Sequence, residues 1–148
     1  MRCVVDASVA IKWFFQSAPD EADVDAAVAL LRANRDGLAD FHQPPHFIAE
    51  VAAVLARKKP DEAQADLGDL LEIDFRIIED AAIHQTALDL AIRLNHHLFD
   101  TLYHAVALHM TGTVLVTADR RYFAKAQPIG HIILLNDLAQ TAHAHRDA

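Results

Sequence analysis

One cysteine, four glycines and five prolines are all that this 148-residue sequence holds of the residues that cross-link, loosen or break a chain. The lone Cys3 excludes an internal disulfide framework and a cysteine-cluster zinc site. Set in an apolar strand, it reads as a small core residue in a reducing compartment. No apolar run approaches the roughly 18 residues that a membrane helix needs. The opening Met1-Arg2-Cys3-Val4-Val5-Asp6 is also too short in apolar residues for a secretion signal. A cytoplasmic protein with no membrane partner is expected. Positive charge is scarce as well: 13 Lys and Arg against 21 Asp and Glu give a net charge of −8, which argues against a broad basic surface for nucleic acid. A phosphate-bearing substrate would need local help, from a bound cation or from small basic patches such as Arg57-Lys58-Lys59 and Arg120-Arg121 with Lys125.

What the sequence does have is apolar residues, 53% of the total, with 23% charged, the balance of an ordinary globular protein. No repeat, low-complexity tract or shift in composition divides it, so residues 1–148 are expected to form one domain. Cys3-Val4-Val5 reads as a buried strand running directly into a helix over Ala7 to Phe15. Helices are predicted from Pro19 to an end near Asn34 to Gly37, from Pro44-Pro45 to Lys58-Lys59 and from Asp61 through Leu71. Two more are predicted from about Asp80 to Asn95 and from Leu98 to Met110, the second stopped by Gly112. Phe75 to Ile78, Val114-Leu115-Val116 and Ile132 to Leu135 read as further strands. Asn136-Asp137 caps a terminal helix whose tail, with His143 and His145, is expected to fray. Apolar strands alternating with helices predict a three-layer α/β/α sandwich around a mainly parallel sheet.

In such sheets functional groups gather outside the carboxyl ends of the strands. Asp6 and Asp119 fall at two strand ends, and Glu50 and Asp100 lie on the flanks of apolar helix stripes. Each has a plain structural role available: Asp6, Asp100 and Asp119 could cap helices, and Glu50 could pair with an arginine. A lone carboxylate against apolar surface is costly, however, and two about 4 Å apart oppose each other by about 4 kcal/mol at an effective dielectric near 20. A cation relieves both costs. Oxygen-only donors favour a hard ion, Mg²⁺ or Mn²⁺.

The wording around these acids resembles PIN-domain ribonucleases, and more narrowly the VapC-type toxins of bacterial toxin–antitoxin pairs. Val4-Val5-Asp6-Ala7-Ser8-Val9-Ala10-Ile11-Lys12-Trp13 is similar to the family's opening strand and metal-binding aspartate, and Pro45 to Glu50-Val51 to its glutamate helix. Phe99-Asp100-Thr101-Leu102-Tyr103-His104 resembles the segment of the third acid, and Val116-Thr117-Ala118-Asp119-Arg120-Arg121 that of the fourth. The resemblance spans nearly the whole chain. It implies metal-dependent cleavage of RNA phosphodiesters, with Asp6, Glu50, Asp100 and Asp119 as catalytic, metal-holding residues for Mg²⁺ or Mn²⁺. Asp6 and Asp100 are then the expected direct ligands. Glu50 and Asp119 serve a second ion or orient water, and Ser8 and Thr117 hydrogen-bond the carboxylates. An antitoxin that inserts Arg or Lys among the carboxylates is the implied partner.

Other features carry less. The ten histidines offer the spacings His42 with His46 and His96-His97 with His104, but Pro44-Pro45 interrupts the first and no cysteine accompanies them. His104 is expected to be a hydrogen-bonded interior residue and the remaining histidines to lie on the surface. Arg57, seven residues after Glu50 on one helical face, could meet a substrate phosphate or simply complement the helix end. The Val24 to Leu31 stripe could serve a partner or a homodimer, though packing on the sheet explains it as well. Two alternatives compete with the nuclease reading: an inactive PIN-fold binding protein, and a receiver-like signalling module with an acidic Mg²⁺ pocket. A receiver needs a lysine after its fifth strand, where this sequence has Asn136-Asp137.

Overall fold

A computed structural model of the chain describes residues 1–146. Five strands, β1 (Arg2–Val5), β2 (Asp40–Gln43), β3 (Phe75–Ile77), β4 (Thr113–Thr117) and β5 (Ile132–Leu134), form one sheet in the order β3-β2-β1-β4-β5. All four pairings are parallel. The helices are α1 (Ala7–Ala10), α2 (Val24–Arg35), α3 (Phe47–Lys58), α4 (Ala63–Glu72), α5 (Ala81–Leu94), α6 (Leu98–His109), α7 (Arg120–Ala126) and α8 (Leu135–Arg146). The apolar runs take the centre of the sheet: Cys3, Val4 and Val5 of β1 and Leu115 and Val116 of β4 are buried on both faces. Burial pushes the Cys3 thiol up to about 12, so it stays an inert core residue.

Parallel neighbours need crossovers, and these are right-handed. The chain runs outward from β1 to β3 and then returns across the sheet to β4, so the two sets of connecting helices cover opposite faces. α6 lies against β1, β2 and β4 with α5 behind it, whereas α8 joins α2 on the other side, giving the expected α/β/α sandwich. The order also disposes of the receiver alternative, whose fold runs 2-1-3-4-5. From β1 the chain leaves toward β2, and from β4 toward β5. The carboxyl ends of β1 and β4 therefore frame the topological switch point, the position at which open α/β sheets bind their ligands.

Several local expectations need correction. β2 was not expected as a strand, because Asp40-Phe41-His42-Gln43 has a single large apolar residue. It is held by its neighbours and by Gln43, whose buried amide accepts from Val5 N and donates to Val5 O, both at 2.7 Å. Past Ala10 the first helix tightens into a 3₁₀ turn over Ile11–Phe14, where buried Lys12 bonds Glu21 Oε1 at 2.7 Å and Ala22 O at 2.6 Å. That tie holds residues 15–23 outside any helix, so α2 begins at Val24 and not at Pro19. α7 was not anticipated. α8 continues through His143 and His145 to Arg146, where fraying was expected, and residues 147–148 lie outside the described residues.

Candidate metal-binding and active site

The four acids meet at the switch point because four helices start there. Asp6 precedes α1 and Asp119 precedes α7, each just past its strand, while Glu50 and Asp100 occupy the first turns of α3 and α6. Helix N-termini favour negative charge, which partly offsets crowding of the carboxylates. Asp6 feels the charges of Asp100 and Glu50, and Asp100 those of Glu50 and Asp119. Oxygens of Asp100 and Asp119, with a ring nitrogen of His96, lie within 4.8 Å of one another. Carboxylates at that distance repel by about 3 kcal/mol at an effective dielectric near 20.

Simple capping does not explain the arrangement. Asp6 sits at the cap position of α1 but makes no capping hydrogen bond, and Asp100 lies inside its helix. Only Asp119 caps, accepting from Tyr122 N at 3.0 Å through Oδ1. Glu50 stands beside a histidine, not an arginine: Oε2 accepts from the Tyr103 hydroxyl at 3.2 Å, and His46 Nε2 lies 3.1 Å from it while donating to Phe99 O at 2.8 Å. Arg57 is exposed at the far end of the same helix. Asp6 Oδ2 accepts from Ser8 Oγ at 2.5 Å and Thr117 Oγ1 at 3.0 Å. Thr117 Oγ1 in turn accepts from Asp119 N, and Ser8 Oγ from Ala118 N, so the two strand ends are laced together.

One regularity runs through these contacts. Each carboxylate commits a single oxygen to the protein: Oδ2 of Asp6, Oε2 of Glu50, Oδ2 of Asp100 and Oδ1 of Asp119. Among the described residues no donor reaches the other oxygen of any of the four. The set therefore presents four free, hard oxygen donors on fixed carboxylates, the donor chemistry of a Mg²⁺ or Mn²⁺ site. Electrostatics agree: burial, with the Asp100 and Glu50 charges, pushes the Asp6 carboxyl up to about 7 despite the Ser8 and Thr117 hydroxyls. Asp100 is raised by burial against the opposing pull of His96, and the Tyr103 hydroxyl is raised by burial and by Glu50 and Asp6.

Residues 3–128 match the family model of the PIN domain. The chain belongs to the PIN domain family. Comparison with curated protein sequences yields no match. Among solved structures, this PIN domain is similar to PAE2754 from Pyrobaculum aerophilum, with a TM-score of 0.66 and 21% identity over 97% of this chain and 96% of that one. VapBC-1 from nontypeable Haemophilus influenzae gives 0.64 and 13% over 92% and 99%. VapBC2 from Rickettsia felis, bound to a DNA fragment from their promoter, gives 0.63 and 18% over 90% and 97%. At these identities the likeness is one of fold.

Two histidines of this PIN domain belong to the site, although they were expected on the surface. His46 and His96 are partly buried, each four residues ahead of an acid and beside it: His96 Nε2 is bonded to Asp100 Oδ2 at 2.9 Å, and His46 Nε2, bonded to Phe99 O, lies 3.1 Å from Glu50 Oε2. Each stands just before its helix, so helical periodicity gave no warning. The shared spacing, His46 to Glu50 and His96 to Asp100, was the available signal. His42 is also buried, with its pKa lowered by burial, but on β2 among Arg2, Asp40 and Arg76. His104 is the expected interior histidine, bonded to the Tyr122 hydroxyl and Gly130 O.

Proposed function

We propose that this PIN domain is a Mg²⁺- or Mn²⁺-dependent ribonuclease acting as the VapC-type toxin of a toxin–antitoxin pair. The observation that carries this reading is the set of four converging carboxylates, each held through one oxygen and free at the other. Asp6 and Asp100 would hold the ion directly, with Glu50 and Asp119 completing its surroundings or orienting water. A divalent ion so held supplies polarisation of the phosphodiester and activation of water for in-line attack.

The chain's own residues do the rest. Ser8 and Thr117 fix Asp6 by donating to one oxygen, and Tyr103 fixes Glu50 in the same way, so these carboxylates would be held before any ligand arrives. Arg120 and Arg121, exposed at the start of α7 beside Asp119, would meet substrate phosphates. The net charge of −8 is compatible with an RNA substrate when part of it forms a metal cradle.

An antitoxin partner would dock away from the four acids. A cavity of about 650 Å³ that includes none of the four acids lies between the 3₁₀ turn, α2 and α4. Phe14, Phe15, Leu31 and Ile73 give it an apolar lining; at its rim Lys59 pairs with Glu62 and Asp66, and Asp69 adds a further acid. An amphipathic antitoxin helix with basic flanks fits that chemistry. Incubating total RNA with the protein and with Asp100→Asn, with and without Mg²⁺, tests the activity. Discrete cuts that need both the metal and Asp100 are expected. Equal, metal-independent degradation by both proteins would refute the assignment.

A further inference from the structure

Among the described residues a single side chain hydrogen-bonds Asp100, and its chemistry is set from behind. His96 Nε2 faces Asp100 Oδ2 at 2.9 Å, and its other nitrogen, Nδ1, faces Lys125 Nζ at 3.3 Å. Lys125 also donates to Asn95 O at 2.9 Å, which anchors the ammonium in place. An ammonium has three donors and no acceptor, so the nitrogen that faces it must present a lone pair. The ring proton then sits on Nε2 and points at Asp100.

The ring itself is fixed by packing. Tyr122 lies against it with centroids 4.8 Å apart and planes at 50°. The Tyr122 hydroxyl donates to Nδ1 of the fully buried His104 at 2.8 Å, and His104 Nε2 donates to Gly130 O at 2.7 Å. A carbonyl only accepts, so the tautomer of His104 is dictated by the same logic. His104 thus supports Tyr122, Tyr122 supports His96, and His96 holds Asp100.

We propose that His96 is a positioning residue and not a metal ligand: Lys125 selects its Nε2–H tautomer, and that N–H engages Asp100 Oδ2, leaving Asp100 Oδ1 for a divalent ion. The spacing alone would suggest otherwise, because a ring nitrogen of His96 and oxygens of Asp100 and Asp119 are close enough to share one metal. Ligation through Nε2, however, requires the lone pair there and the proton on Nδ1, directed at an ammonium. The purpose given to Asp100 rests on the proposed nuclease reading, whereas the tautomer does not.

Nitrogen-15 NMR of the His96 ring in metal-free protein tests the assignment directly. The wild type is expected to carry the proton on Nε2, and Lys125→Met to show both tautomers. A proton on Nδ1 in the wild type, or an unchanged ring in Lys125→Met, overturns it. Electron spin echo spectroscopy of the Mn²⁺-loaded protein is expected to show no directly bound histidine nitrogen, and such a signal would also overturn it. Calorimetry should find Mn²⁺ binding loosened about tenfold in His96→Ala, the equivalent of one charge-assisted hydrogen bond, and restored in His96→Gln, whose amide can donate. Loss without rescue contradicts the positioning role. Failure of the wild type to bind Mn²⁺ would instead remove the nuclease reading, and the NMR result would still decide the tautomer.

Discussion

Replacing Asp6 by Asn should make the metal-free protein more stable, in the direction opposite to most changes of a buried polar residue. Asp6 is 8% exposed, and burial with the Asp100 and Glu50 charges raises its carboxyl from 3.8 to about 7. Below the unfolded value both states are protonated and the folded protein pays nothing for the group. As the pH rises from 3.8 toward 7 the unfolded chain ionises first, so stability falls until the folded carboxyl ionises too. At about 1.4 kcal/mol per pH unit, the cost by pH 7.5 is about 4 kcal/mol, and it is about half a kcal/mol at pH 4. Asn keeps an oxygen for Ser8 and Thr117 and removes the charge. Urea unfolding in EDTA should therefore show Asp6→Asn about 4 kcal/mol more stable than wild type at pH 7.5 and nearly equal at pH 4. A variant that is less stable at pH 7.5, or equally shifted at both pH values, would show that the carboxylate is not strained by burial and its neighbours.

Other outcomes follow from the same structure. Mg²⁺ or Mn²⁺ at about a hundred times its dissociation constant should stabilise the wild type by about 3 kcal/mol, a Tm rise of roughly 6–12 °C, reversed by chelator and absent in Asp6→Asn. An equal rise in the variant would place the ion elsewhere. Gln43→Leu leaves Val5 N and O without their 2.7 Å partners, and should cost about 2–4 kcal/mol in urea unfolding. A loss under about 1 kcal/mol would mean that the sheet closes without that amide. Asp69→Lys on the exposed cavity rim should leave RNA cleavage unchanged and weaken antitoxin binding about tenfold by calorimetry, and unchanged affinity would move the docking place.

The parts of this molecule legible in the sequence are those whose cause is local. Val4-Val5-Asp6 declares a buried strand and a strand-end acid because two-sided burial demands an unbroken apolar run. Asp80 caps α5 through Ala82 N as its side-chain type suggests, and Gly112 takes the left-handed φ of 68° that stops the chain after α6. β2 was invisible because its cause is remote: Gln43 is in a strand through its bonds to a residue 38 positions away. The acids were found by position, yet their convergence depends on strand order, which no local pattern encodes. His46 and His96 were misplaced for a related reason. Their burial comes from neighbours on other elements, Phe99 and Tyr103 for the first and Tyr122 for the second.

The division of labour among these residues also accounts for how a crowded acidic site stays folded. Hydroxyls, a tyrosine, His96 and the Tyr122 N–H take one oxygen of each carboxylate, which leaves the other oxygens without a protein partner among the described residues. Asp6, the least exposed of the four, has its carboxyl raised by burial and by the Asp100 and Glu50 charges. Ion binding would relieve that strain, which links stability to function through one group.

Diffraction from crystals soaked in MnCl₂, measured at the manganese absorption edge, examines that link most directly. Anomalous density bounded by the free oxygens of Asp6 and Asp100, and absent from Asp6→Asn crystals, is the predicted result. Density bonded to His96 Nε2, or none near the four carboxylates in a metal-saturated crystal, would contradict it.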